Sequence, residues 1–188
     1  FTLGYNIAPT LQIPAIIEQD NRRTLELFRW GLIPHWVKDK NIMATAFNAR
    51  AESGVHKPLF RDAIKSKRCL VVASGFYEWQ VQCGKKQPYY IYRADNSPLA
   101  FAGLWDVWED DVTGEAIESC TIITTAATHQ MVQIHERMPV VRERESYDTW
   151  LDPEFNETDV LQQLLIAPKE EVFEMYPVSS YVSNSRND

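Results

Sequence analysis

No apolar run in this chain of 188 residues approaches the roughly 20 needed to span a bilayer. Its start does not carry the basic-then-apolar pattern of a secretory signal. Cysteine is scarce: Cys69, Cys83 and Cys120 lie far apart, with no Cys-x-x-Cys spacing. That count argues against a cysteine-based zinc site and a disulfide framework, and suits a reducing, cytoplasmic setting. The four histidines show no His-Glu-x-x-His or similar spacing, so no metal site is expected. Seven glycines include no phosphate-cradling loop, which argues against a nucleotide cofactor, and no other cofactor signature is present. A Gly-x-Ser-x-Gly nucleophile elbow is also missing. Positive charge is outweighed, with a net charge of -7 and a pI near 5.1, which disfavours nonspecific coating of nucleic acid.

What is present is apolar. Hydrophobic residues make up 45% and aromatics 12% of the chain, enough for one sizeable core, so residues 1–188 read as a single domain. Acids gather at 106–118 and 152–159, whereas 57–68 carries Lys57, Arg61, Lys65, Lys67 and Arg68 against Asp62 alone. Such segregation fits an anionic ligand, and fits a solvated helix face equally well.

Strand signals dominate. Residues 13–18 and 24–30 read as a strand pair across an Asp20-Asn21-Arg22-Arg23 turn. Segments 69–73, 77–82, 88–93, 99–108 and 119–124 follow as strands, with Cys83-Gly84-Lys85 and Asp95-Asn96-Ser97-Pro98 as turns. Short helices are expected at 61–67, 128–134, 144–151 and 158–165, and a closing strand at 176–183. Many strands joined by tight turns, with few helices between, give a mostly antiparallel α+β fold: barrel-like sheets with short peripheral helices.

Four polar-aromatic islands interrupt these strands. In Gly75-Phe76-Tyr77-Glu78-Trp79-Gln80, a carboxylate sits among aromatics. By strand alternation Glu78 faces solvent; if it is instead desolvated, its pKa rises and it can exchange a proton near neutrality. In Asn48-Ala49-Arg50-Ala51-Glu52, Asn48 and Arg50 share a face of an extended segment and suit an oxyanion or phosphate; a salt bridge from Arg50 to a nearby acid is the other reading. His135 and Arg137 repeat the two-residue spacing in Ile134-His135-Glu136-Arg137-Met138-Pro139, where a histidine can exchange a proton or simply serve the core. The fourth island is Tyr5-Asn6-Ile7-Ala8-Pro9-Thr10.

Taken in order, these islands resemble the SOS-response-associated peptidase (SRAP) family of abasic-site-processing proteins. Trp30-Gly31-Leu32-Ile33-Pro34-His35-Trp36, Lys57-Pro58-Leu59-Phe60 and Thr124-Thr125 also fit, so the likeness runs over nearly the whole length. It implies a β-rich fold with a positively charged cleft for single-stranded DNA, acting as a monomer in the cytoplasm and joining the nucleoid when bound to DNA. It implies that an N-terminal cysteine captures the ring-opened sugar of an abasic site as a thiazolidine crosslink, with autoproteolytic removal of a leader and a lyase activity. Noncovalent binding of single strands and peptidase action on other proteins are the competing readings. Carried over, Asn48 positions the cysteine and sugar, Glu78 shuttles protons and His135 acts on the sugar hydroxyl. Arg50 and Arg137 hold phosphates, Trp36 and Trp79 offer apolar surface, and Asn6 and Thr124 add polar contacts. Two departures stand out: the sequence opens at Phe1 rather than at a cysteine, and Gly4 stands where the family often has arginine. Either the expected cysteine lies outside these residues, the favoured reading, or this member has lost its nucleophile and only a binding role survives; a further tail is also expected outside them.

Overall fold

The computed structural model describes residues 4–38, 46–53, 56–168 and 172–187. Strands β1 (Gln12–Gln19) and β2 (Arg22–Trp30) form a hairpin. Asp20 and Asn21 both take positive φ at its turn, a conformation that Asp and Asn tolerate. After β3 (Asn48–Arg50) come two single-turn helices, α1 (Pro58–Arg61) and α2 (Ala63–Ser66). The expected continuous helix at 61–67 is thus split at Asp62. Next are β4 (Arg68–Ala73), β5 (Gly75–Gln82), β6 (Lys85–Arg93), β7 (Leu99–Glu109), β8 (Ala116–Ala126) and β9 (Arg137–Pro139). Helices α3 (Tyr147–Leu151) and α4 (Thr158–Gln163) precede β10 (Phe173–Pro177).

Two sheets result. In the larger one the strands run β2-β1-β4-β7-β8, and a short parallel pairing of β2 with β8 closes the ring. Beyond that seam β3 continues along β8, while β9 pairs with β8 at residues 124–126. The smaller sheet, β10-β6-β5, is antiparallel throughout. The mostly antiparallel, barrel-like α+β fold expected from the strand pattern is the fold found.

Alternation along the ring strands sorts the core into two layers. Ile13, Ala15, Phe28, Cys69, Val71, Phe101, Trp105 and Cys120 form one cluster, which Ile91 and Phe173 of the smaller sheet join. Leu70, Ala102 and Leu104, on the opposite faces of β4 and β7, form the other with Trp150, Leu151 and Leu161 of the helices. Arg68 lies in this second layer, 1% exposed. Its guanidinium donates to the carbonyls of Trp150, Ile64, Lys65, Asp152 and Phe155, tying α2 and α3 to the ring. Burial pulls its pKa down to about 10, so it keeps its charge at neutral pH.

Two local expectations fail. Residues 128–134 form successive turns, not a regular helix, although Thr128 does cap Met131 with its hydroxyl. The Gln133 carbonyl accepts from Gln80, and the chain then straightens to pair Arg137 with Ala126. The closing strand stops at Pro177; Ser179 then accepts the N–H of Tyr181 and starts a 3-10 turn over Ser180–Ser183. No helix among the described residues is long and apolar enough to cross a membrane.

Candidate active site at the edge of the small sheet

Strand alternation places Glu78, but not where solvent exposure would require. Phe76, two residues earlier, packs edge-on against Phe101 (5.7 Å) and Phe173 (6.3 Å), so its face of β5 is the core face. Tyr77 turns the other way, onto Tyr90 (5.4 Å). Glu78 therefore shares the side of Phe76 and sits half-buried where the core opens into a cleft. Desolvation raises its pKa above the ordinary carboxylate range, against the pull of His135 and of the Trp79 backbone N–H at 3.2 Å. Gly75, at the start of the strand, has Tyr90 Cζ 2.5 Å and the Ile91 carbonyl oxygen 2.6 Å from where a Cβ would stand, so the sheet closes here only around a glycine.

The cleft measures about 2340 Å³ and collects side chains from distant parts of the chain. From β3 come Asn48 and Arg50, both exposed; Ala49 between them is buried against β8. Thr124, opposite Arg50 in register, also lines the cleft. His135 enters from the turns after β8, held near β5 because Gln80 Nε2 donates to the Gln133 carbonyl at 2.7 Å. Glu78, Asn48, Arg50, Thr124, His135 and Arg137 thus line one cleft, with Trp79 at its side.

Not every candidate stands there in the expected manner. Trp36 does not line the cleft. It is 50% exposed in the loop after β2, which His35 fastens to buried Asp106: the His35 backbone N–H and Nδ1 each lie 2.9 Å from Asp106 Oδ2. Asn6 reaches the cleft, but its amide donates to the carbonyls of Val182, Asn184 and Asn187, so it holds the C-terminal segment against the rim. Trp79 likewise spends its indole N–H on Ser183 Oγ, at 3.1 Å.

The two arginines are held differently. Among the described residues Arg137, not Arg50, carries the salt bridge. Its Nη1 lies 3.0 Å from both oxygens of Glu52, and Nη2 donates to Glu52 and to the carbonyl and hydroxyl of Thr124. Hydrogen bonds from Arg137 hold the Glu52 carboxyl below its usual range. Glu52 was visible as the last residue of its island, yet its partner lies 85 residues away and no local signal names it. Arg50 has no hydrogen bond or ion pair among the described residues. Farther along the cleft, Arg93 is paired with Glu143 and Arg23 with Asp148. The lining is therefore only weakly basic, with Arg50 and Arg144 free of carboxylate partners among the described residues.

The described residues hold no group of three or more His, Cys, Asp or Glu that could bind a metal. Cys69 and Cys120 are buried, and burial raises both thiols, Cys120 to about 12; Cys83 is exposed at the β5–β6 turn. None of the three lines the cleft.

Comparison with known proteins places this architecture. The chain is 41% identical over 186 residues to the abasic site processing protein YoaM of Bacillus subtilis, covering 98% of this chain and 82% of that one. It is 35% identical over 215 residues to the abasic site processing protein HMCES of Xenopus tropicalis, covering 98% and 64%. A crystal structure of a protein from Bacteroides thetaiotaomicron superposes with a TM-score of 0.86 at 33% identity, covering 95% of this chain and 79% of that one. The family pattern described as SOS response associated peptidase (SRAP) matches residues 1–185, and the chain belongs to that family.

Proposed function

We propose that this protein binds single-stranded DNA in the cleft and processes abasic sites by trapping their ring-opened aldehyde. The observation that carries the reading is the meeting in one cleft of Glu78, held at raised proton affinity, with His135, Asn48 and Arg50, the last unpaired among the described residues. The names of the relatives, abasic site processing proteins, support the same substrate.

An aldehyde and a neutral α-amine condense to an imine and release water. A neighbouring thiol then adds across the C=N bond, sulfur to carbon and proton to nitrogen, closing a thiazolidine. An α-amine with a pKa of roughly 8 has a useful neutral fraction at pH 7. The condensation needs a proton delivered to the departing oxygen, and a carboxyl that stays protonated to higher pH than usual suits that delivery. Asn48 orients the sugar, Arg50 holds the adjacent phosphate, Trp79 lends apolar surface, and His135 serves the sugar hydroxyl in ring opening and strand cleavage. Arg137 reaches a phosphate only by giving up Glu52.

The family resemblance gives the thiol role to an N-terminal cysteine; Cys69 and Cys120 are buried, and none of the three cysteines present lines the cleft. A leader ahead of that cysteine would be removed by the protein itself. The positions of these three thiols also support a second reading, noncovalent binding of single strands, for a form without an N-terminal cysteine.

Full-length protein mixed with a single-stranded oligonucleotide bearing one abasic site is expected to give an adduct that survives denaturing electrophoresis. Arg50→Ala is expected to weaken binding and to lower the slope of log affinity against log salt by about one, the signature of one lost phosphate contact. Salt-sensitive binding without adduct would select the noncovalent reading. No binding at all would sink both.

A further inference from the structure

One charged residue has no direct part in the chemistry above: Glu52, which holds the guanidinium of Arg137. Arg137 makes its ion pair to Glu52 with a side chain only 20% exposed, and its Nε is buried without a partner among the described residues. Glu52 also accepts from the backbone N–H of Ala126 (3.2 Å) and lies 3.5 Å from the Thr125 hydroxyl. One carboxylate thus gathers the chain just after β3, the end of β8 and the start of β9.

What Arg137 does with its backbone gives this clamp a consequence. The Arg137 N–H donates to His135 Nδ1 at 3.0 Å, and the Arg137 carbonyl oxygen lies 3.1 Å from the same nitrogen. A neutral ring that accepts at Nδ1 must carry its proton on Nε2. When Nδ1 carries the proton, in the other neutral tautomer or in the doubly protonated ring, the same nitrogen is a donor toward the carbonyl. Either way Nδ1 has a partner in one residue, provided that residue stays where it is. Its placement rests on three ladder pairs to β8 and on the grip of Glu52 and Thr124 on its side chain.

We infer that Glu52 is a positioning residue: by fixing Arg137 it holds the His135 ring toward the cleft. The inference deepens the abasic-site reading, on which its relevance to catalysis rests. Glu52 does not touch the substrate. It acts through Arg137, much as partners behind a functional imidazole orient it elsewhere.

The test uses full-length protein carrying ¹⁵N-histidine, with imidazole spectra recorded near pH 8, where an ordinary imidazole is neutral. Wild type is expected to show a single set of His135 ring signals, and Glu52→Gln a broadened or split set from a ring no longer held in one place. With the abasic oligonucleotide, Glu52→Gln is expected to slow the reaction about tenfold. Affinity for an intact single strand should hold or rise, because Arg137 is released. Should Glu52→Gln not fold, Glu52→Asp, with its charge drawn back by one methylene, makes the same comparison. Unchanged ring signals and rate would overturn the inference, as would a rate loss matched by an equal loss of affinity for the intact strand. If wild type gives no reaction with the abasic strand, the functional reading fails, and the spectra still decide the role of Glu52.

Discussion

Glu78→Gln is expected to slow capture of an abasic strand by roughly 10²- to 10⁴-fold, the range typical of a lost general acid–base. The substitution keeps the shape of the side chain and an oxygen to accept the Trp79 N–H. It removes the proton. Stability should move the other way, and the sign follows from the shift. Folding raises the Glu78 pKa, chiefly by desolvation, so the folded state favours the protonated form. Stability from that form is complete below the unfolded carboxyl value of about 4.3 and is lost as pH rises through the folded pKa. A neutral amide escapes that loss. Glu78→Gln should therefore melt above wild type at pH 7 and lose that advantage at pH 4. Slow capture with higher thermal stability identifies a carboxyl kept for its chemistry. Unchanged capture kinetics would make Glu78 a bystander.

The largest loss of stability is expected at Arg68. Arg68→Met keeps the length of the stem but leaves five carbonyls without their donor, among them the ends of α2 and α3. Stranding buried polar groups on this scale costs about 3–5 kcal/mol, which for a chain of this size lowers the melting temperature by roughly 10 °C or more. Arg68→Lys should recover little of it, since one ammonium cannot reach carbonyls spread over 64–65 and 150–155. Thermal melts of the two variants check this, and a loss under about 1 kcal/mol for Arg68→Met would mean that water replaces the fork. In sequence this residue was one more cation in the basic stretch 57–68. Lys57, Arg61 and Lys65 there are exposed, and only the odd–even placement of β4 turns Arg68 inward.

The same rule of alternation separates what could be read in the chain from what could not. The β1–β2 and β5–β6 hairpins were legible because apolar alternation and turn residues act between neighbours. The turns at 128–134 and the 3-10 segment at Ser180–Ser183 were not, because Gln80 and Ser179 decide them through single hydrogen bonds. At the site, the shared face of Asn48 and Arg50 follows from a two-residue spacing. The side on which Glu78 falls does not: it depends on which face of β5 meets Phe101 and Phe173. Pairing of Arg137 with Glu52, and the distance of Trp36 from the cleft, are facts of tertiary folding that no local pattern carries.

The parallel seam between β2 and β8 sets an order of events. It consists of two residue pairs, Arg29 with Ser119 and Trp30 with Cys120, and it joins segments on either side of most of the ring. Closing so long a loop for so few bonds is entropically unrewarding until the hairpins β1–β2 and β7–β8 already stand. The seam is therefore expected to form last and to open first, and its amides to exchange with solvent faster than those of the hairpins in native-state hydrogen exchange. β3, with Asn48 and Arg50, lies on β8 directly beyond the seam. The half of the cleft built from β3 would then be assembled only at the final step of folding, after Glu78 is already in place on its own sheet.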